Sequence, residues 1–339
     1  MNINRRQFLT TLGISSLLTQ ITPAIAKNQL NHPQIIKPPK LKIGDTIGLI
    51  APAGIIEKKD IENAKTTFNN LGFKIKTGTH ILERYGYLAG TDRNRAQDIH
   101  LMFQDPDVKA IIAMRGGWGC NRILPLLNYP LIRSHPKILI GYSDITSLLL
   151  AINARSRLIT FHGGVATSTW NEFTVNYWQR ILLNGELLTM ENNSTPEGKI
   201  EIINPGTAQG KLIGGNLSVI TAMIGSAYLP SFHNNILFLE DIGEDVYRID
   251  RMLTQLKNVG ILNQISGFIF GQCTNCQVSE QNNFTLTEIL QQHIQPLNIP
   301  AWYGSMIGHI KDKFTIPVGL NVEINADQGI IKTLEHAVI

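Results

Sequence analysis

The chain has 339 residues, of which 43% are hydrophobic and 17% are charged, and its formal net charge is +4. Such a chain can bury a sizeable core and is long enough for two domains, as expected for a soluble globular protein. The charge includes Arg5 and Arg6, which lie in a segment that we expect to be removed, so nothing in the composition indicates nucleic-acid binding.

Residues 1–26 have the pattern of a signal peptide. The pair Arg5 and Arg6 precedes an apolar, uncharged stretch over 12–25, and Ala24-Ile-Ala26 is a small-x-small cleavage pattern. The paired arginines followed by Phe-Leu resemble twin-arginine export signals. Because the apolar stretch is short for a membrane span, we expect cleavage, release into the periplasm and no stable membrane insertion. An uncleaved N-terminal anchor is the alternative.

Residues 27–40 are polar and contain proline, which is typical of a linker, and 41–170 then alternates strand and helix patterns. This alternation predicts an α/β domain with a parallel sheet and helices on both faces. The predicted strands are a short buried one within 45–54, 109–114 and 137–140, and the predicted helices are 58–71, 94–103 and 145–154.

The pattern changes after residue 170. Residues 171–205 contain a helical stretch and a polar stretch, and we expect them to link two domains. The remaining residues, 206–339, predict a smaller β-rich domain. Its strands are expected at 208–213, 236–239, 267–271 and 322–324, and its clearest helix at 247–259.

A glycine cluster, Arg115-Gly-Gly-Trp-Gly119, follows the predicted strand 109–114. It lacks the spacing of a dinucleotide or phosphate-binding loop. Consecutive glycines at a strand end allow backbone amides to face a cavity, as an oxyanion hole requires. A tight turn without a catalytic role is the alternative.

The motif Gly141-Tyr-Ser-Asp144 follows the next strand. Ser143 would lie at the carboxyl edge of the sheet, on a strand-to-helix turn that exposes its hydroxyl, as in a nucleophile elbow. Gly141 would relieve crowding in this turn, whereas Ile145 replaces the second glycine of that motif. Alternatively, Ser143 or Asp144 caps the helix that follows.

A nucleophilic serine needs a base and a carboxylate. His309 follows Gly308 at the end of an apolar run, and Glu240 ends the apolar stretch Leu237-Phe-Leu. Both residue types also occur at strand ends with purely structural roles. Three polar residues of complementary type at strand ends nevertheless indicate a catalytic site.

The three cysteines are too few for a disulfide framework. Cys273 and Cys276 have CxxC spacing and could form one disulfide in an oxidising compartment, or they are incidental, like Cys120. A zinc site would need two further ligands, and neither a second CxxC nor a nearby HxxxH supplies them.

Seven stretches between Gly44 and His309 together resemble one family. They are GDTIGLIAPAG, MRGGWG, IGYSDITSLLL, FHGG, LIGGNLS, LFLEDIGEDVYRIDRMLTQL and IGH. In this order they resemble the L,D-carboxypeptidase (muramoyltetrapeptide carboxypeptidase) family of serine peptidases, which has microcin-immunity proteins as relatives. The resemblance implies a Rossmann-like N-terminal domain similar to class I glutamine amidotransferases, a smaller C-terminal domain, a cleft between them and a homodimer.

The resemblance also implies a triad of Ser143, Glu240 and His309, with no metal or other cofactor. Glu244 is a rival for the carboxylate. The expected oxyanion donors are the backbone N–H of Asp144 and one from the glycine cluster, for which we expect Gly117.

Two further residues are candidates for substrate binding. Arg115 either pairs with the terminal carboxylate of the substrate or holds the glycine cluster in place. Trp118 is expected to pack against the substrate.

The function implied by the resemblance is removal of the terminal D-alanine from peptidoglycan tetrapeptides. The family acts in murein recycling, whereas the export signal suggests trimming of stem peptides at the wall, on a muropeptide or on polymeric peptidoglycan. Two alternatives are a hydrolase of a peptide–nucleotide antibiotic and a non-catalytic muropeptide-binding protein.

Overall fold

The computed structural model of the protein describes residues 34–195, 198–277 and 284–339. Within it, Ile35–Ile339 form one compact unit. The predicted signal peptide, 1–26, lies outside the described residues. None of the helices in these ranges combines the length and apolarity needed to cross a bilayer.

Fourteen strands and nine α-helices lie within the described residues. The strands are β1 Thr46–Ile50, β2 Lys74–Thr77, β3 Val108–Ala113, β4 Ile138–Gly141, β5 Thr160–His162, β6 Thr189–Met190, β7 Glu201–Asn204, β8 Thr207–Asn216, β9 Ile236–Ile242, β10 Gly267–Thr274, β11 Ala301–Tyr303, β12 Ile316–Val318, β13 Asn321–Asn325 and β14 Ile330–Thr333. The helices are α1 Lys58–Asn70, α2 Asp92–Gln104, α3 Cys120–Ile123, α4 Tyr129–Ser134, α5 Thr146–Ser156, α6 Glu172–Gln179, α7 Leu217–Met223, α8 Val246–Asn258 and α9 Leu286–Ile294.

The first sheet has six strands in the order β12-β5-β4-β3-β1-β2. Strands β1 to β5 are parallel, whereas β12 is antiparallel to β5. All four residues of β4 are buried, as is typical of a strand covered on both faces. Helix α1 contributes Ile61, Ala64 and Phe68 to the core from one face. The strand order reverses between β1 and β3, and ligands bind beyond the carboxyl ends of parallel strands at such a point.

The second sheet has eight strands in the order β6-β14-β13-β8-β9-β10-β11-β7. Its centre, β8 to β11, is parallel, and the strands on either side are antiparallel. Helices α7 and α9 pack against it, and α8 packs against both helices. The first five residues of β9 are fully buried, so the carboxylate in that strand is held in the interior.

The predicted α/β class, with a parallel first sheet and a second, strand-rich half, is confirmed. The strands and helices predicted from periodicity all occur within a few residues of their expected ends. The predicted linker region, 171–205, contains α6, β6 and β7, and the last two strands extend the second sheet. Lys40, the last residue of the predicted linker 27–40, is also bonded to the fold, since its N–H donates to the carbonyl of Ile339. The predicted domain boundaries stay predictions.

Candidate active site

Ser143 lies on a strained turn between β4 and α5. A 3-10 turn over Ser143–Ile145 connects the two elements, and Ser143 has a φ of 62°. This left-handed conformation is uncommon for a residue other than glycine, and it is typical of a nucleophile elbow. The hydroxyl of Ser143 forms no hydrogen bond with any of the described residues. Neither Ser143 nor Asp144 caps α5 with its side chain.

Gly141 provides the space for this turn. A Cβ on Gly141 would lie 2.7 Å from Cγ2 of Ile145. Because Gly141 has no side chain, there is room for Ile145 at the position where the elbow motif has its second glycine.

The glycine cluster contacts the same turn. A Cβ on Gly116 would lie 2.7 Å from Cβ of Ser143 and 3.3 Å from the backbone nitrogen of Asp144. Gly117 has a φ of 126°, and its N–H has no acceptor among the described residues. Gly116 and the backbone nitrogen of Asp144 thus lie beside Ser143, and the oxyanion donors expected from Asp144 and Gly117 stay a prediction.

Two buried side chains hold the cluster in place. Oδ2 of Asp144 accepts a hydrogen bond of 2.9 Å from the N–H of Cys120. Arg95 on α2 is almost completely buried and donates to the carbonyls of Gly119, over 3.0 Å, and Pro52. Burial raises the pKa of Asp144. Sequence analysis did not select Arg95, because it lies in an ordinary helical stretch.

Glu240, which is buried, and His309, which is partly buried, form a pair. Oε2 of Glu240 lies 2.8 Å from Nδ1 of His309, and Glu240 is completely buried in β9. The rival carboxylate, Glu244, lies instead 3.4 Å from the hydroxyl of Ser218 and 3.8 Å from Arg248. A buried carboxylate at Nδ1 orients the imidazole so that Nε2 is the nitrogen left for a substrate or nucleophile.

The serine turn and the Glu240–His309 pair meet where the two sheets come together. The ring of Tyr142, next to Ser143, packs edge-on against His309 at 4.6 Å between centroids. Thr146 Oγ1, at the start of α5, accepts a hydrogen bond of 3.0 Å from the N–H of Asn216, which pairs with Glu240 in register. The structure thus brings the neighbourhoods of all three residues together, although Ser143 and His309 are not hydrogen-bonded to each other.

A second buried acid supports the end of β9. Asp241 accepts hydrogen bonds from the side-chain amide of Asn216 and from the N–H and hydroxyl of Ser218. Burial, and secondarily the charge of Glu240, raises the pKa of Asp241. Sequence analysis did not single out Asp241, Asn216 or Ser218, although the acid pair Glu240-Asp241 was visible.

The residues expected to contact substrate lie at the surface beside the cluster. Arg115 donates to the carbonyl of Ile55 over 3.3 Å, which ties the cluster to the loop after β1, and the rest of its side chain is exposed. Trp118 is 66% exposed, and its ring lies edge-on to Tyr87 at 6.3 Å. Both are open to a ligand.

His162, at the end of β5, is a buried residue that sequence analysis did not select. Neither ring nitrogen has a hydrogen-bond partner among the residues that the structure describes. Its ring lies edge-on to those of Phe238, at 5.3 Å, and Tyr142, at 6.1 Å. Burial, with a smaller effect of His309, lowers the pKa of His162 to about 3. Its imidazole is therefore neutral at physiological pH.

Comparison with known proteins was consistent along the chain. Residues 47–163 match the LD-carboxypeptidase N-terminal domain, and residues 209–324 match the LD-carboxypeptidase C-terminal domain. The chain is 36% identical to a probable murein peptide carboxypeptidase of Bacillus subtilis, with 85% of this chain and 91% of that protein covered. It is 31% identical to a murein tetrapeptide carboxypeptidase of Pseudomonas aeruginosa, with 82% of this chain and 92% of that protein covered.

The fold was also compared with solved structures. The chain superimposes on the structure of MccF in complex with glutamyl sulfamoyl guanosine with a TM-score of 0.82 at 26% sequence identity. The match covers 89% of this chain and 99% of the MccF chain. These matches support a peptidase of the carboxypeptidase type.

Proposed function

The chain belongs to the LD-carboxypeptidase family, peptidase S66, and from this membership we propose that it is a serine carboxypeptidase acting on peptidoglycan tetrapeptides. Its reaction cleaves the bond between the L-centre of the diamino acid in the stem peptide and the terminal D-alanine. The observation that carries the proposal is the 2.8 Å contact between buried Glu240 and His309, next to the strained turn of Ser143.

The proposed first step is acylation of Ser143. Nε2 of His309 takes the proton from the hydroxyl while the serine oxygen attacks the carbonyl carbon of the terminal peptide bond. Glu240 stabilises the imidazolium that forms. The N–H groups of Asp144 and Gly117 donate to the oxyanion of the tetrahedral intermediate.

In the second half of the reaction the acyl-enzyme is hydrolysed. His309 gives its proton to the amine of the departing D-alanine, which breaks the peptide bond and leaves an ester on Ser143. A water molecule, deprotonated by His309, then attacks the ester and regenerates the serine hydroxyl. Every proton transfer in this scheme passes through His309.

Two exposed residues are proposed to bind substrate. The guanidinium of Arg115 has donors left over after its contact with Ile55, and a planar guanidinium pairs well with a terminal carboxylate. Trp118 offers an exposed aromatic face close to the same loop. Export by a twin-arginine signal to the periplasm and assembly as a homodimer remain part of the proposal.

The test is mass spectrometry of a disaccharide-tetrapeptide after incubation with the mature protein. We expect the loss of one D-alanine with the wild type and with Ser134→Ala, a matched change of an exposed serine on α4, but not with Ser143→Ala. Retained hydrolysis in folded Ser143→Ala would disprove the serine mechanism. A folded wild type that binds the muropeptide without hydrolysing it would instead indicate a binding protein.

A second candidate function is hydrolysis of a peptide–nucleotide conjugate, which the similarity to MccF favours. The export signal proposed for residues 1–26 argues against it, because such antibiotics act inside the cell. The same preparations should be incubated with a peptide–nucleotide antibiotic. Faster turnover of that compound than of the tetrapeptide would favour this second function.

A further inference from the structure

A disulfide closes the turn at the end of β10. Cys273 is bonded to Cys276, and the N–H of Cys276 also donates to the carbonyl of Cys273 over 3.3 Å. Between them, Asn275 has a left-handed φ of 57°. We call the residues 273–276 the CxxC turn. Both cysteines are partly exposed, so a small thiol can reach them.

Thr274, inside the CxxC turn, is hydrogen-bonded both to His309 and to the segment that follows the strand of Glu240. Its hydroxyl donates to the backbone carbonyl of His309 over 3.0 Å. Its own carbonyl accepts a hydrogen bond of 2.9 Å from the N–H of Gly243, which follows the strand that carries Glu240. One residue thus ties the histidine loop to the end of the glutamate strand.

The backbone and side chains around this contact are closely packed. A Cβ on Gly308 would lie 3.0 Å from Oε2 of Glu240, so the backbone before His309 passes directly over the carboxylate. Cys273 pairs with Asp241, the residue after Glu240, in the register of β9 and β10. A shift of the CxxC turn would therefore move the histidine relative to its carboxylate.

We propose that the CxxC turn positions His309, through the Thr274 hydroxyl, and that its disulfide maintains this position. The kinetic consequence rests on the proposed function, whereas the positioning itself does not. A disulfide limits the conformations that a short loop can adopt. Without the disulfide, no covalent bond keeps Asn275 in its left-handed conformation, so the CxxC turn can relax and displace His309. Displacement of a catalytic group lowers the reaction rate steeply.

The redox step is thiol–disulfide exchange with a dithiol. One thiolate of the dithiol attacks a sulfur of the Cys273–Cys276 disulfide, and the mixed disulfide is resolved by the second thiolate. Two electrons and two protons pass to the protein, which gains two thiols, while the dithiol becomes a cyclic disulfide. A chain exported in reduced form would therefore gain full activity only after oxidation.

The first experiment removes the Thr274 hydroxyl. In Thr274→Val we expect kcat on a tetrapeptide to fall about three- to tenfold with KM nearly unchanged, and Thr274→Ser to restore it. Thr66→Val, which removes a similar hydroxyl–carbonyl bond on α1, is the matched control and should leave kcat unchanged.

The second readout needs no substrate. The Nδ1 proton of His309, held by Glu240, is followed by proton NMR, and we expect its signal to broaden in Thr274→Val and in Cys273→Ser/Cys276→Ser. Dithiothreitol should reproduce the effect in the wild type and do nothing to the double variant. If the wild type proves inactive on tetrapeptides, the NMR signal of His309 alone tests whether the CxxC turn positions this residue. An unchanged signal, or unchanged kcat in an active enzyme, would overturn the proposal.

Discussion

The N–H of Cys120 donates to Oδ2 of Asp144 over 2.9 Å, which fastens the glycine cluster to the residue after the proposed nucleophile. Both N–H groups that we propose for the oxyanion hole therefore depend on one side chain. The carboxylate and Cys120 are both buried, so an N–H that loses this acceptor is left desolvated.

Replacing Asp144 tests this connection. Asp144→Ala leaves the N–H of Cys120 without an acceptor, and we expect a loss of about 1–3 kcal/mol in the free energy of unfolding together with a lower kcat. Asp144→Asn keeps an acceptor oxygen and should be affected much less. Urea unfolding and tetrapeptide hydrolysis measure the two effects. Equal stability of the alanine and asparagine variants would contradict this role.

Gly116 should tolerate no side chain. A Cβ there would lie 2.9 Å from Oγ of Ser143, so Gly116→Ala has to displace the serine or the cluster. We expect kcat to fall roughly 100-fold because the nucleophile and the oxyanion donors are misaligned. Gly86→Ala is the control for an added Cβ that meets no atom within 4 Å, and its left-handed φ of 60° costs backbone strain rather than a clash with the serine. Comparable kcat values for the two variants would show that the close approach has no functional role.

Replacing Glu240 and Glu244, which lie four residues apart, tests which of them is the carboxylate of the triad. Glu240→Gln removes the negative charge beside His309, and we expect kcat to fall about 1,000- to 10,000-fold, as when the carboxylate of a serine-protease triad is neutralised. Glu244→Gln, which contacts Ser218 and Arg248 rather than His309, should change kcat less than threefold. The opposite order of effects would assign the carboxylate to Glu244.

The sequence was most informative where local patterns decide the structure. Apolar runs and helical spacing predicted β4 and α5, and the glycine and serine between them indicated either a nucleophile elbow or a helix cap at Ser143. Long-range pairing left no such signal. Strand β12, only three residues long, joins the first sheet from far along the chain, because it pairs with β5 rather than with a sequence neighbour. Arg95 and Asp241 were missed for the same reason, since their hydrogen-bond partners lie on distant segments.

His162 makes the stability of the fold depend on pH. Its pKa is lowered from 6.5 to about 3 in the folded protein because the charged form is desolvated. Well above pH 6.5 the imidazole is neutral in both the folded and the unfolded state, and it does not make stability depend on pH. Between pH 6.5 and 3 the unfolded chain binds one more proton, so the free energy of unfolding falls by about 1.4 kcal/mol for each unit of decreasing pH.

A leucine at this position removes the proton-binding group at similar volume. Since neither nitrogen of His162 has a partner within the described part of the chain, His162→Leu loses no hydrogen bond there and should be at least as stable as the wild type at pH 7.5. From pH 7.5 to 5 the variant should gain about 2 kcal/mol relative to the wild type, as measured by urea unfolding at each pH. His233→Leu, an exposed substitution, controls for the added leucine. Parallel pH curves for wild type and His162→Leu would contradict the lowered pKa, because they would mean that the imidazole binds its proton equally in the folded and the unfolded state.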